Sequence, residues 1–242
     1  MLATRFKVWG WGGAVGQGAM ASVRVGVAGV AKKANAGLPY VVASELLCAN
    51  LARHILLPVP PSFVIQNDDG IPYHVSLNFA LAGENLPPAD APAIAAALPS
   101  LAWGTVIFDI WVGNSDRHNG NLAFDSAKSA LMLFDHSHAF IGGANVNAWL
   151  VGNAGQLGIG GHCLAPLVSD VQLISSWIER INAIPEFYIR GLLEECVTVG
   201  LPDAEVNGCL QHLLTRRQHL LALIKAHPAN FPAVPANQWN NI

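Results

Sequence analysis

Apolar and polar positions along the chain change period near its first third. From residue 5 to about residue 80 the repeat is short. "ASVRVGVAGVAKKA" alternates closely enough for a strand or a hairpin, and "SFVI" and "IPYHVSLNF" read as further strands, with "NDDG" as a turn signal beside the last. One segment breaks this pattern. "ASELLCANLARHI" has apolar residues at helical spacing, which predicts a helix capped by Ser44, with Glu45 in its first turn and the prolines of "LLPVPP" at its end. After residue 90 the helical period takes over. "APAIAAALPSLAWGTVIF" predicts one or two buried helices. "VQLISSWIERI", "EFYIRGLLEECVTVG" and "AEVNGCLQHLLTRRQHLLALIKAH" predict three more, the last with Asp203 as its N-cap. The Pro- and Asn-rich tail "PANFPAVPANQWNNI" suggests loose packing, and the Gly- and Asn-rich stretch 141–161 suggests a mobile loop. Between the two regimes lies "ALAGENLPPADAP", which has no period at all. A boundary is placed there, within 80–88, dividing the chain into 1–82 and 83–242. The expected class is α+β, with a β-rich first part carrying one helix and a mainly helical second part.

Composition narrows the function. Only 12% of the 242 residues are charged, against about a quarter in average soluble chains. The length suits one large domain or two lobes. Net charge is −3 and no basic stripe is present, so no nucleic-acid partner is expected. The uncharged run 91–108 contains two prolines and is followed by Asp109; a spanning helix needs roughly 20 mostly apolar residues, so a buried helix is expected and no membrane insertion. "MLATRFKVWG" has no long apolar core of a signal peptide. Cys48, Cys163, Cys196 and Cys209 form no C-x-x-C pair and read as free thiols of a reducing compartment, so the expected location is cytoplasmic.

Against that sparse charge, "GNSDRHNGNLAFD" (113–125) is dense in polar chemistry, and it sits between the apolar runs "VIFDIWV" and "ALMLFDHSHAF". "NLAFD" and "ALMLFD", separated by "SAKS", read as a short hairpin. A loop followed by a hairpin can bring Asp116, Asn121 and Asp135 into one cleft. One carboxylate could then face a substrate hydroxyl, while the Asn amide oxygen and the second carboxylate hold a hard divalent cation, which takes oxygen ligands. Phosphoryl transfer needs those parts. A plain polar turn with caps is the bland alternative. His136, His138 and His162 match no zinc spacing. In "GWGGAVGQGAMAS" the piece "GQGAMA" fits G-x-G-x-x-A, but a dinucleotide motif should open a helix, and "SVRVGV" reads as strand.

"NSDRHNGN" followed by "LFDHSHA" resembles the catalytic loop and metal-binding segment of HipA-like kinases, and D-R-H-x-x-N is also similar to the phosphoinositide-kinase arrangement. "ASELLCANLARHILLPVPP", "HVSLNFALAGENLPP" and "LLTRRQHLLALIKAHPANFP" resemble the family's helix, hinge and last helix, so the likeness spans roughly Val23 to Pro232. The resemblance implies a two-lobed protein-kinase-like fold that uses ATP and Mg2+ to transfer the γ-phosphate to a hydroxyl, that of a protein Ser or Thr in a protein substrate. It implies that Asp116 is the catalytic carboxylate, that Arg117 and His118 order the loop, and that Asn121 and Asp135 hold the metal. Glu45 would pair with the phosphate-binding lysine, which is Lys32 or Lys33; neighbouring strand residues face opposite ways, so only one can serve. Gly16 and Gly18 would cover phosphates with backbone N–H groups, and Ser22 would match loop serines that are autophosphorylated in the family. The metal segment reads D-H-S rather than D-F-G, and the glycine stretch does not match a protein-kinase loop cleanly. A nucleotide-binding pseudokinase or interaction protein of the same fold is the alternative. HipA proteins are longer than this chain, so their antitoxin partnership is not carried over.

Overall fold

The computed structural model describes residues 8–15, 22–78, 89–139, 146, 150, 152 and 155–242. The glycines at 16 and 18, the boundary at 82/83 and most of the stretch 141–154 lie outside those residues.

The first part is built from short antiparallel sheets. Strand β1 (Val8–Ala14) pairs with β2 (Val23–Val27), with Trp11 opposite Val25, and the ribbon is exposed along its whole length. After Ala28 the chain enters β3 (Gly29–Lys32) in a second sheet ordered β3-β5-β4, completed by β4 (Ser62–Gln66) and β5 (Pro72–Leu77). "ASVRVGVAGVAKKA" is therefore two strands in different sheets and not a hairpin with itself. The β4–β5 hairpin turns at "NDDG": Gly70 takes φ +75° and Asn67 Oδ1 accepts from Ile71 N at 2.8 Å.

Helix α1 (Val41–His54) packs against β4 and β5. It begins three residues before the expected cap. Tyr40 stands at the N-cap with no side-chain hydrogen bond, so Ser44 lies inside the helix and Glu45 beyond its first turn.

The stretch 91–112 forms two helices, α2 (Ala91–Ala97) and α3 (Pro99–Val112), bent by 117° at Leu98. Asp90 caps α2 by accepting from Ala93 N, and Pro99 starts α3 in a position that spares a helical N–H. Every residue of α3 from Ala102 to Val112 is buried. Helices α4 (Gln172–Asn182) and α6 (Val206–Lys225) pack against it, and α5 (Glu186–Val197) packs between α1 and α6. Gly104 lets Trp177 of α4 lie on α3, where a Cβ would collide with the indole. Trp111 Nε1 donates to Leu213 O at 3.0 Å, and Arg216 Nε to Ile110 O at 2.7 Å, tying α6 to the same helix.

Two further expectations are corrected. Asp203 opens a 3₁₀ turn, Asp203–Glu205, and makes no side-chain cap; Glu205 holds the N-cap position of α6. The tail is not loose: Phe231 is fully buried between Trp103 and Trp239. The four cysteines are free thiols, three of them buried. Among the described residues no single helix is long and apolar enough to cross a membrane.

Candidate active site

The site grows from one carboxylate in an apolar helix. Asp109 is fully buried in α3, where an ionised group persists only if paired and hydrogen-bonded. The chain supplies the partners at once. Gly113 adopts the left-handed conformation (φ +63°), ends α3, and swings the chain back beneath it. Asn114 Nδ2 then donates to Asp109 Oδ1 at 3.0 Å. Arg117 forks onto both oxygens, Nε to Oδ2 at 2.8 Å and Nη2 to Oδ1 at 3.1 Å. His162 Nε2 reaches Oδ2 at 3.1 Å. Burial by itself would raise the Asp109 pKa, but Arg117 and His162 hold it well below the usual carboxylate range. Burial likewise opposes the charge of Arg117, and Asp109 restores it.

Arg117 is 1% exposed, and it spends its remaining reach on the protein. Its Nη1 donates to Asn121 O at 3.0 Å and to Phe134 O at 2.7 Å. One guanidinium thus joins α3 to the end of the 114–121 loop and to the residue before Asp135. The loop ends in a 3₁₀ turn, Asn119–Asn121, and enters the hairpin β6 (Leu122–Asp125) and β7 (Ala130–Leu133), as the sequence pattern indicates. Asn121 is almost buried; its Nδ2 donates to Asp116 O at 2.7 Å, so its amide oxygen is the atom left as a ligand.

Asp116 keeps its carboxylate half exposed, with His118 Nε2 at 3.9 Å and His138 Nε2 at 4.0 Å from Oδ2. His118 Nδ1 accepts from Gly120 N at 2.9 Å. Its proton therefore sits on Nε2, the nitrogen nearer Asp116.

Past β7, Asp135 takes φ +62°, a conformation that Asp tolerates better than most side chains. Lys32 Nζ lies 2.6 Å from Asp135 Oδ1 and 2.6 Å from Glu45 Oε1. Strand β3, helix α1 and the segment after β7 therefore meet at one ammonium. Burial disfavours its charge, but the two carboxylates raise its pKa above the ordinary value. Glu45 is almost fully buried; burial opposes its ionisation, yet His136, with Nδ1 at 3.7 Å from Oε2, and Lys32 keep its pKa well below normal. Burial also works against Asp135, and Lys32 together with the Ser137 hydroxyl lowers its pKa. Lys33 points elsewhere, with Nζ 5.9 Å from the centre of the Tyr73 ring, so the geometry separates the two lysines. His74, opposite Lys32 in the sheet, is pushed down to about 4 by burial and stays neutral beside the ion pair.

Sequence reasoning missed four participants. Asp109 carried a signal, as the lone charge in "VIFDIWV". His162 carried none. Ser44, read as a cap, instead donates Oγ to His136 O at 2.7 Å, and the His136 ring meets Phe108 edge-on. Among the described residues no three His, Cys, Asp or Glu side chains are grouped to hold a metal ion. The donors that Asn121 and Asp135 offer are oxygens, the set that suits Mg2+.

Comparison with known proteins bears on the family and the fold. Residues 29–149 match a family model described as HipA-like kinase. The fold is similar to the crystal structure of the Helicobacter pylori proinflammatory kinase CtkA, with a TM-score of 0.55 at 16% identity, covering 89% of this chain and 92% of that one. At that identity the likeness is one of fold, a mixed α+β kinase fold with a small β-rich lobe and a mainly helical lobe. A search of curated proteins finds no match.

Proposed function

Since the chain belongs to the HipA-like kinase family, we propose that it transfers the γ-phosphate of ATP to a hydroxyl group, that of a protein Ser or Thr. The observation that carries this reading is the shared ammonium of Lys32, 2.6 Å from both Glu45 and Asp135. A buried glutamate that fixes a strand lysine, facing a carboxylate that follows a hairpin, is the polar equipment for holding nucleotide phosphates.

On this reading the nucleotide lies between an N-lobe, 1–82, and a C-lobe, 83–242. Lys32, held by Glu45, would contact the α and β phosphates, and Gly16 and Gly18 would cover them with backbone N–H groups. Asn121 and Asp135 would hold Mg2+, which neutralises charge on the transferred phosphoryl group. Asp116, half-exposed and flanked by His118 and His138, would orient the acceptor hydroxyl and take its proton. Arg117 would act as a positioning residue, since its bonds go to Asp109, Asn121 and Phe134. Lys33, stacked on Tyr73, would stay out of the phosphate site.

The test is Mg2+-dependent ATP turnover with a protein mixture as acceptor. Wild type is expected to transfer phosphate. Asp116→Ala should lose on the order of 10²- to 10⁴-fold in rate. Asp135→Asn and Lys32→Ala should be similarly impaired, and Lys33→Ala should stay near wild type. Nucleotide binding with no turnover would instead indicate a pseudokinase. If no nucleotide binds, the site assignment fails.

A further inference from the structure

Segment 156–165 is tied to the proposed catalytic loop at one end and to α6 at the other. Cys163 N donates to Arg117 O at 2.9 Å, and Leu157 O accepts from Arg216 Nη2 at 3.0 Å. Between these ties lies His162, 3% exposed. Its Nδ1 accepts from Leu164 N at 3.1 Å and from Ala165 N at 3.3 Å. A nitrogen receiving two N–H groups carries no proton, so the ring is the Nε2–H tautomer, and Nε2 donates to Asp109 Oδ2.

That bond completes Asp109. A carboxylate has about four acceptor directions, and here Arg117 fills two, Asn114 one and His162 the last. Oδ2 has two donors, Arg117 Nε and His162 Nε2. Without the imidazole, Oδ2 keeps only the guanidinium, and Asn114 on Oδ1 is left as the one further donor that holds Asp109 and its fork against turning. Arg117 would carry that movement to its carbonyl partners, Asn121 O and Phe134 O. The residues displaced would be Asn121, Asp135 and the neighbouring Asp116.

We infer that His162 is a positioning residue for phosphoryl transfer: by closing the coordination of Asp109 it fixes Arg117, and through Arg117 the geometry of Asp116, Asn121 and Asp135. This rests on the reading of Asp116 as the residue facing the acceptor. His162 touches neither nucleotide nor acceptor.

Two substitutions divide the imidazole. His162→Asn places an amide oxygen near the position of Nδ1, which keeps the turn through Leu164 and Ala165 and gives up Asp109. His162→Gln extends an N–H toward Asp109 and gives up the turn. Kinetics and hydrogen exchange of peptides spanning 114–121 would be measured for both. His162→Asn is expected to lower kcat about tenfold or more, because small displacements of reacting groups are costly. KM for ATP should hold within about twofold, and the loop amides should exchange faster. His162→Gln should restore most of kcat and the protection of the loop. Wild-type kcat and wild-type exchange in His162→Asn would overturn the inference, as would equal losses in both variants that follow their melting temperatures. If wild type itself shows no turnover, the kinase reading fails and the catalytic part of the inference with it, while the exchange of 114–121 in the two variants still decides whether His162 holds that loop.

Discussion

Replacing Arg117 with Met removes the cation from the Asp109 pair while keeping much of the side-chain volume. Both partners are buried, at 1% and 0% exposure. Breaking such a pair from one side costs about 3–5 kcal/mol, because the remaining charge has neither water nor partner. Two carbonyls, Asn121 O and Phe134 O, each lose one donor as well, at up to about 1 kcal/mol each. In a chain of this length 1 kcal/mol corresponds to about 2–4 °C, so Arg117→Met should melt at least about 6–20 °C below wild type at pH 7. The double variant Asp109→Leu/Arg117→Met removes the stranded charge and should recover at least half of that loss. The two proteins should also respond to pH in opposite ways. In wild type the Asp109 pKa is lowered, so its contribution is complete above about pH 4 and fades only as pH falls below it. In Arg117→Met burial acts on Asp109 without the guanidinium and raises its pKa. That variant then loses stability as pH rises, and its deficit against wild type should be larger at pH 8 than at pH 5. Thermal melts by circular dichroism across that range are the assay. A deficit below about 1 kcal/mol, or a double variant less stable than the single one, would refute the reasoning.

Gly104→Ala replaces a helical glycine, a change that favours an exposed helix by about 1 kcal/mol, but here the new methyl meets the Trp177 ring; a net loss of about 1–3 kcal/mol is expected in urea unfolding. Phe231→Ala should cost about 3–5 kcal/mol, since the ring is fully buried against Trp103 and Trp239; a cost near zero in the same assay would mean that the tail does not pack. Ser44→Ala removes the bond to His136 O and should lower stability by about 1–3 kcal/mol. It should also reduce kcat, because that bond holds α1 against the segment carrying Asp135; an unchanged kcat would show that the segment is held without it.

The chain announced its polar centre more readily than the scaffold of that centre. Asp116, Asn121 and Asp135 stood out because polar and ionisable residues crowd that stretch in a chain with few charges, and the hairpin joining them follows from local alternation. The lysine did not. Alternation says that Lys32 and Lys33 face opposite sides, but which side is inward depends on β3 pairing with β5, far along the chain. Ser44 was misread for a similar reason: its hydroxyl serves a carbonyl 92 residues away, and local pattern offers a cap as the nearest use. The tail was misjudged from its prolines, whereas a single well-seated Phe231 decides its packing. Asp109 was legible in principle, because a lone carboxylate in an apolar helix must find a cation, and Arg117 follows eight residues on. His162 was not, since its partner lies 53 residues away with a whole hairpin between them.

The ammonium of Lys32, bound to two carboxylates at once, has a thermodynamic consequence. On the proposed reading any cation that takes Asp135 must first compete with Lys32 for it. A nucleotide phosphate that draws Lys32 toward itself removes that competitor. Metal and nucleotide would therefore each strengthen the binding of the other by the same factor, because coupling between two sites is reciprocal. The free protein would hold the metal weakly and would acquire full affinity for it only when the phosphates arrive.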